Sequence, residues 1–168
     1  MTSIAKSRSQ KKRIVQDAIQ LLTSDHAEVA ALFKKYDKLT DANAQASDRQ
    51  AHAEQICTLL TVHATIEEEI FYPTARAAGI DASLMDEADV EHAAAKDLIA
   101  QIRAMSPEED HYDAKVKVLG EQIEHHVDEE QDKMFPKCRS AKMDLAALGK
   151  ALATRKDELL REAAEEIV

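Results

Sequence analysis

The chain has 168 residues and a net charge of -10, and strong helix formers dominate it, with Gly 3, Pro 3 and Trp 0. That length suits one domain with a core that needs no disulfide staples. The scarcity of helix breakers and an aromatic share of 4% argue against a typical all-β core, and the acidic balance argues against broad nucleic-acid binding, which needs a basic face.

Residues 1–13 read as a basic, flexible arm in which Lys6, Arg8, Lys11, Lys12 and Arg13 crowd together. Contact with an anionic partner such as nucleic acid is the alternative for this segment alone. Residues 14–40 read as an amphipathic helix, because Val15, Ile19, Leu22, His26, Val29, Phe33 and Tyr36 recur at spacings of three and four. A polar stretch over 41–47 leads to a second helix over 48–78, with Ile56, Leu59, Leu60, His63, Glu67, Ile70 and Phe71 on one face. Gly79 stops it, since glycine accepts the left-handed conformation past a helix end.

Asp81 or Ser83 can cap the third helix, which carries Leu84, Ala88, His92, Ala95, Ile99 and Ile102. Ser106, Pro107 and Glu109 have the pattern of a capping box with proline at the first helical position. They predict that the fourth helix starts there and runs to about 139, facing Tyr112, Val116, Leu119, Ile123, His126, Glu130 and Met134 inward. A fifth segment over 144–166 carries Leu145, Leu148, Leu152, Leu159 and Leu160 and no candidate ligand. It can cover the bundle or make a subunit contact, so a homo-oligomer stays open. Short connections predict an all-α, antiparallel up-down four-helix bundle over 14–140 with an additional C-terminal helix over 141–168.

Cys57 and Cys138 stand far apart in no CxxC motif and fit a reducing compartment. No apolar run reaches the roughly 18 residues of a membrane span, and the N-terminus lacks a secretory apolar stretch. The expectation is no membrane and, by default, a cytoplasmic location.

The second and fourth helices echo each other. His63 and Glu67 precede Phe71-Tyr72-Pro73, and His126 and Glu130 precede Met134-Phe135-Pro136. Each is preceded by a helix with a single histidine after an acid, Asp25-His26 and Glu91-His92. A histidine and a glutamate four apart share one helix face. The midpoints between His26, the His63–Glu67 pair, His92 and the His126–Glu130 pair fall in the three predicted turns, so antiparallel packing puts all six residues at one height. His125 and Glu129 also stand four apart but point away from the Leu119–Ile123–Met134 side. His52 and His111 lie near helix starts and read as ordinary polar residues.

Charged groups on an apolar stripe are costly unless paired or bound to metal. Four imidazoles with two carboxylates suit iron, manganese or zinc. Each glutamate can bridge two ions. The expected centre is therefore two iron ions bridged by carboxylates and an oxo or hydroxo group, with manganese or zinc as alternative occupants and one position open to a small molecule.

At these residues the sequence resembles the hemerythrin-like family, in its HHE cation-binding branch, over roughly residues 15–139. The matching strings are Asp25-His26, His63 through Glu69 with Tyr72-Pro73, Glu91-His92, and His126 through Glu130 with Phe135-Pro136. The resemblance implies a four-helix bundle, a non-haem di-iron centre held by His26, His63, Glu67, His92, His126 and Glu130, and chemistry with dioxygen, nitric oxide or peroxide, or iron or oxygen sensing. Oxygen-carrying members have a second histidine where this chain has Lys96, and a final aspartate where it has Glu130. Three functions follow as expectations: a di-iron protein that senses, binds or scavenges small oxidants or senses or stores iron; a di-iron redox enzyme reducing peroxide or nitric oxide; and a helical interaction module using the C-terminal helix.

Overall fold

The structure is a computed structural model that describes residues 15–166; the basic arm predicted over 1–13 lies outside them. Helix α1 (Ala18–Asp41) starts at Asp17, whose carboxylate accepts the Gln20 N–H while the Gln20 side chain accepts the Asp17 N–H. This box starts the helix later than the apolar stripe predicts and leaves Val15 65% exposed. Helix α2 (Ala46–Ile66) continues through a π-helical turn, π1 (Glu67–Phe71), into α3 (Tyr72–Ala77). Gly79, at φ 82, turns the chain. Asp81 then caps α4 (Ala82–Ala104) by accepting the Ser83 N–H.

The predicted start of the next helix at Ser106 is corrected. The Glu109 carboxylate does accept the Ser106 N–H, and Ser106 Oγ accepts the Glu108 N–H. The turn does not propagate, because His111 adopts φ 73, a left-handed conformation that no α-helix passes through. Helix α5 (Tyr112–Glu129) begins after it, then runs through a second π-helical turn, π2 (Glu130–Met134), into α6 (Phe135–Ser140).

The two prolines neither end their helices nor leave the α-helical ladder intact. Just before each one, an N–H reaches back five residues, from Tyr72 to the Glu67 carbonyl and from Phe135 to the Glu130 carbonyl. The wider π turn admits a ring that would otherwise crowd the carbonyls of Glu69 and Asp132.

Helix α1 packs on α2 and α5, α2 on α4, and α4 on α5, which closes the four-helix bundle. Helix α7 (Leu145–Glu166) lies over α1, α2 and π1. It is held by the buried Leu152 and by Gly149, where an added Cβ would stand 2.3 Å from the Gln16 carbonyl oxygen. The core has two apolar clusters. One gathers Leu22, Ile66, Phe71, Met85, Met134 and Phe135; the other gathers Val29, Ile56, Leu60, Ile99, Val116 and Leu119. Buried histidines and glutamates fill the layer between them, with Cys57 and Cys138 buried as free thiols. Among the described residues no helix is long and apolar enough to cross a membrane.

Candidate metal centre

The six residues singled out from the sequence meet in that layer, each at most 7% exposed. His26 Nε2 and His63 Nε2 are 3.2 Å apart, and His92 Nε2 and His126 Nε2 are 3.1 Å apart. Glu67 spans the two pairs, with Oε1 at 3.0 Å from His63 Nε2 and Oε2 at 3.2 Å from His92 Nε2. Glu130 Oε1 lies 3.0 Å from His126 Nε2 and 3.3 Å from His26 Nε2. Two donor sets result: His26, His63, Glu67 and Glu130; and Glu67, His92 and His126. His125 is 63% exposed and Glu129 pairs with Lys133, both off the cavity side. His52 sits by the Asp48 carbonyl, near the start of its helix.

What aims the imidazoles was only partly visible in the sequence. Every Nδ1 has an outward acceptor: Gln131 Oε1 for His26 at 3.0 Å, Asp25 for His63 at 3.1 Å, Glu68 for His92 at 2.9 Å, and Glu91 for His126 at 2.5 Å. An Nδ1–H given outward leaves the Nε2 lone pair facing the cavity, the arrangement that orients metal-binding histidines. The acids beside His26 and His92 thus serve the histidine of a neighbouring helix, not the adjacent one. Beyond them, Lys156 of α7 donates to Asp25 at 2.5 Å, and Lys96 donates to Glu68 at 2.5 Å.

Tyr72 is a further site residue. Its hydroxyl donates toward Glu67 Oε2 at 3.3 Å and Glu130 Oε2 at 3.2 Å, and stands 3.2 Å from His92 Nε2 and 3.4 Å from His126 Nε2. An α-helical count from Glu67 turns Tyr72 away from the cavity, and π1 brings it back. At the matching position after π2, Phe135 stacks on His26 with ring centroids 5.9 Å apart.

Burial disfavours the charged imidazole at His63 and His126, but the negative charges of Glu67 and Glu130 and the hydrogen bonds to the outer acids outweigh it. They hold His63 up at about 10 and His126 at about 11. Burial likewise opposes Glu67, yet the charges of His63 and His92 beside it hold the carboxyl well below its ordinary range. Burial, reinforced by both glutamates, pushes the Tyr72 phenol well above its ordinary value, so it keeps its proton.

A metal fits this donor set on one further observation. Glu67 Oε1 and Glu130 Oε1 are fully buried oxygens without a hydrogen-bond partner. The imidazole nitrogens at 3.0 Å approach them at ion-pair distance only. Once His63 and His126 give up the protons they hold without metal, two orphaned carboxylate oxygens face converging nitrogen lone pairs, which a cation between them would satisfy.

Comparison with known proteins agrees. The family model of the hemerythrin HHE cation binding domain matches residues 17–138. A curated DNA nickase from Nostoc sp. (strain PCC 7120 / SAG 25.82 / UTEX 2576) is 30% identical over 126 residues, 75% of this chain and 34% of the relative. The chain therefore spans about a third of that protein's length. The crystal structure of a hemerythrin HHE cation binding domain-containing protein from Mycobacterium kansasii has the same fold, with a TM-score of 0.75 and 24% identity over 90% of this chain and 92% of that one.

Proposed function

The chain belongs to the hemerythrin HHE cation binding domain family, and on that premise we propose that it holds two iron ions and uses them to bind, sense or scavenge a small oxidant such as dioxygen, nitric oxide or peroxide. One ion would take His26, His63, Glu67 and Glu130; the other would take His92, His126 and Glu67, beside the Tyr72 hydroxyl. The carrying observation is the convergence of four Nε2 atoms on two buried, under-bonded glutamates. Bound iron would supply redox chemistry with the small molecule.

The chain's own residues would do the rest. A cavity of about 30 Å³ adjoins the histidines, walled by Val29, Leu60, Ala95, Ile99, Ile123 and Val127. Such a volume takes roughly two water-sized atoms, which suits a diatomic or peroxide. The apolar walls keep bulk water away, and Tyr72 keeps a proton on its oxygen within reach of both glutamates. That hydrogen-bond donor beside the donor sets also leaves room for a reductive enzyme acting on peroxide. The DNA nickase activity belongs to a longer relative, two thirds of which has no counterpart in this match.

The test is metal analysis and optical spectroscopy of the full chain from iron-supplemented cells. The expected result is about two irons per chain, near-ultraviolet bands of a coupled ferric pair, and a spectral change on adding azide or nitric oxide. No iron, or a single ion per chain, would sink the di-iron reading. Peroxide consumption with multiple turnovers would move the assignment from binder to enzyme.

A further inference from the structure

Helix α7 holds no residue that reaches the cavity, and from its sequence it is expected to cover the bundle or make a subunit contact. The structure wires it to the centre. Lys156 reaches from α7 to Asp25 Oδ1 at 2.5 Å, while Asp25 Oδ2 faces His63 Nδ1 at 3.1 Å. The side chains of Lys156, Asp25 and His63 are 21%, 9% and 9% exposed, so water screens this row poorly. We infer that Lys156 is a positioning residue: by holding and neutralising Asp25, it sets how much negative charge His63 receives, and so makes the His26–His63 half of the centre electron-poor.

The other three outer contacts say why this matters. His26 leans on Gln131, a neutral amide. His92 leans on Glu68, whose lysine partner, Lys96, is 50% exposed and well screened. His126 leans on Glu91, which otherwise meets the exposed His125. The His92–His126 half thus keeps two carboxylates behind its imidazoles. The His26–His63 half has one, and α7 cancels it. An imidazole whose N–H faces a free carboxylate is a stronger electron donor than one facing an amide or a neutralised pair.

The proposal rests on the metal reading above, so iron content is measured first for every protein. The reduction of the iron-loaded full chain is then followed by spectroelectrochemistry. Lys156→Met keeps the aliphatic stem and removes the charge. It should favour the oxidised form on the order of tenfold, which is about 59 mV more negative for a one-electron step. Lys156→Arg should restore the wild-type value. Asp25→Asn should shift the potential the opposite way, which keeps the idea testable if one variant folds poorly. Arg155→Met is the control on the same helix. Arg155 pins α7 to Glu69 at 2.8 Å but touches no group bonded to the histidines, so its loss should leave the potential unchanged. A Lys156→Met protein with full iron and an unshifted potential overturns the inference, and so does an Arg155→Met shift of equal size, while the metal reading stands in both cases. A wild-type chain that takes up no iron overturns both.

Discussion

Glu67 and Glu130 face both halves of the centre, whereas Glu129, one residue away, is tied to Lys133 outside it. Glu67→Ala or Glu130→Ala should therefore lose most of the iron, because Glu67 belongs to both donor sets, while Glu130 completes one and stands 3.0 Å from His126 Nε2 of the other. Glu129→Ala should keep it. Elemental analysis of the three purified variants decides, and an empty Glu129→Ala site beside a full Glu130→Ala site would reverse the assignment. At this scale the convergence of the six candidate donors was legible because a histidine and a glutamate four apart share a face whatever surrounds them. Tyr72 was not legible. It stands five residues after Glu67, about 140° around an α-helix, and only the π turn corrects that angle. Nor could the sequence show that Asp25 serves His63 while Glu91 serves His126, since both contacts cross between helices.

At the scale of elements, apolar periodicity located every long helix and Gly79 located a turn, because both are local properties of the chain. The start of α5 was misplaced because a capping pattern at Ser106 was overruled by the left-handed backbone at His111. The role of α7 needed tertiary contacts. Its docking gives a direct test at Gly149. Alanine there would gain about 1 kcal/mol of helix propensity, but its Cβ would press on the Gln16 carbonyl oxygen at 2.3 Å, and backbone on backbone cannot yield without moving a helix. Overpacking of this kind typically costs 1–3 kcal/mol. Gly149→Ala should lower stability by up to about 2 kcal/mol in urea unfolding, net of the propensity gain. A stabilised variant would mean that α7 does not sit against the start of α1.

For the whole molecule, the question is what the polar layer costs. The sequence suggests that metal-free folding must protonate the carboxylates, pair them with histidinium or admit water; the structure pairs them. Burial opposes the charged forms of His63 and His126, but the glutamates raise them to about 10 and about 11. A raised histidine contributes stability that is complete below its ordinary value near 6.5 and is lost progressively as pH climbs from there through the folded value. Metal needs those same nitrogens deprotonated, so its hold strengthens as pH rises. Iron removal should therefore lower the melting temperature. A site filled at a hundredfold over its dissociation constant adds about 2.7 kcal/mol, or roughly 5–10 °C for a chain of this size. The gap between loaded and stripped protein should widen from about pH 6 to about pH 8, where the stripped protein's own pairs still hold. Calorimetry on both forms across that range is the check, and a gap that vanishes or narrows with pH would contradict the layer described.

The π turns carry a last consequence. Each is one residue spliced into a rod, at the same place in both copies of the motif. Upstream of the splice the rod aims nitrogen and oxygen at the centre; downstream, one phase step later, it aims a ring at the same point. Had the rods stayed in phase, Phe71 and Met134 would follow the glutamates inward, and the cage would be greasy at both ends. With the splice the two rings are Tyr72 and Phe135, alike except for one oxygen atom. That single atom sets the two ends of the cage apart: a phenol that can donate a hydrogen bond at one end, and a flat hydrocarbon face that can only stack at the other.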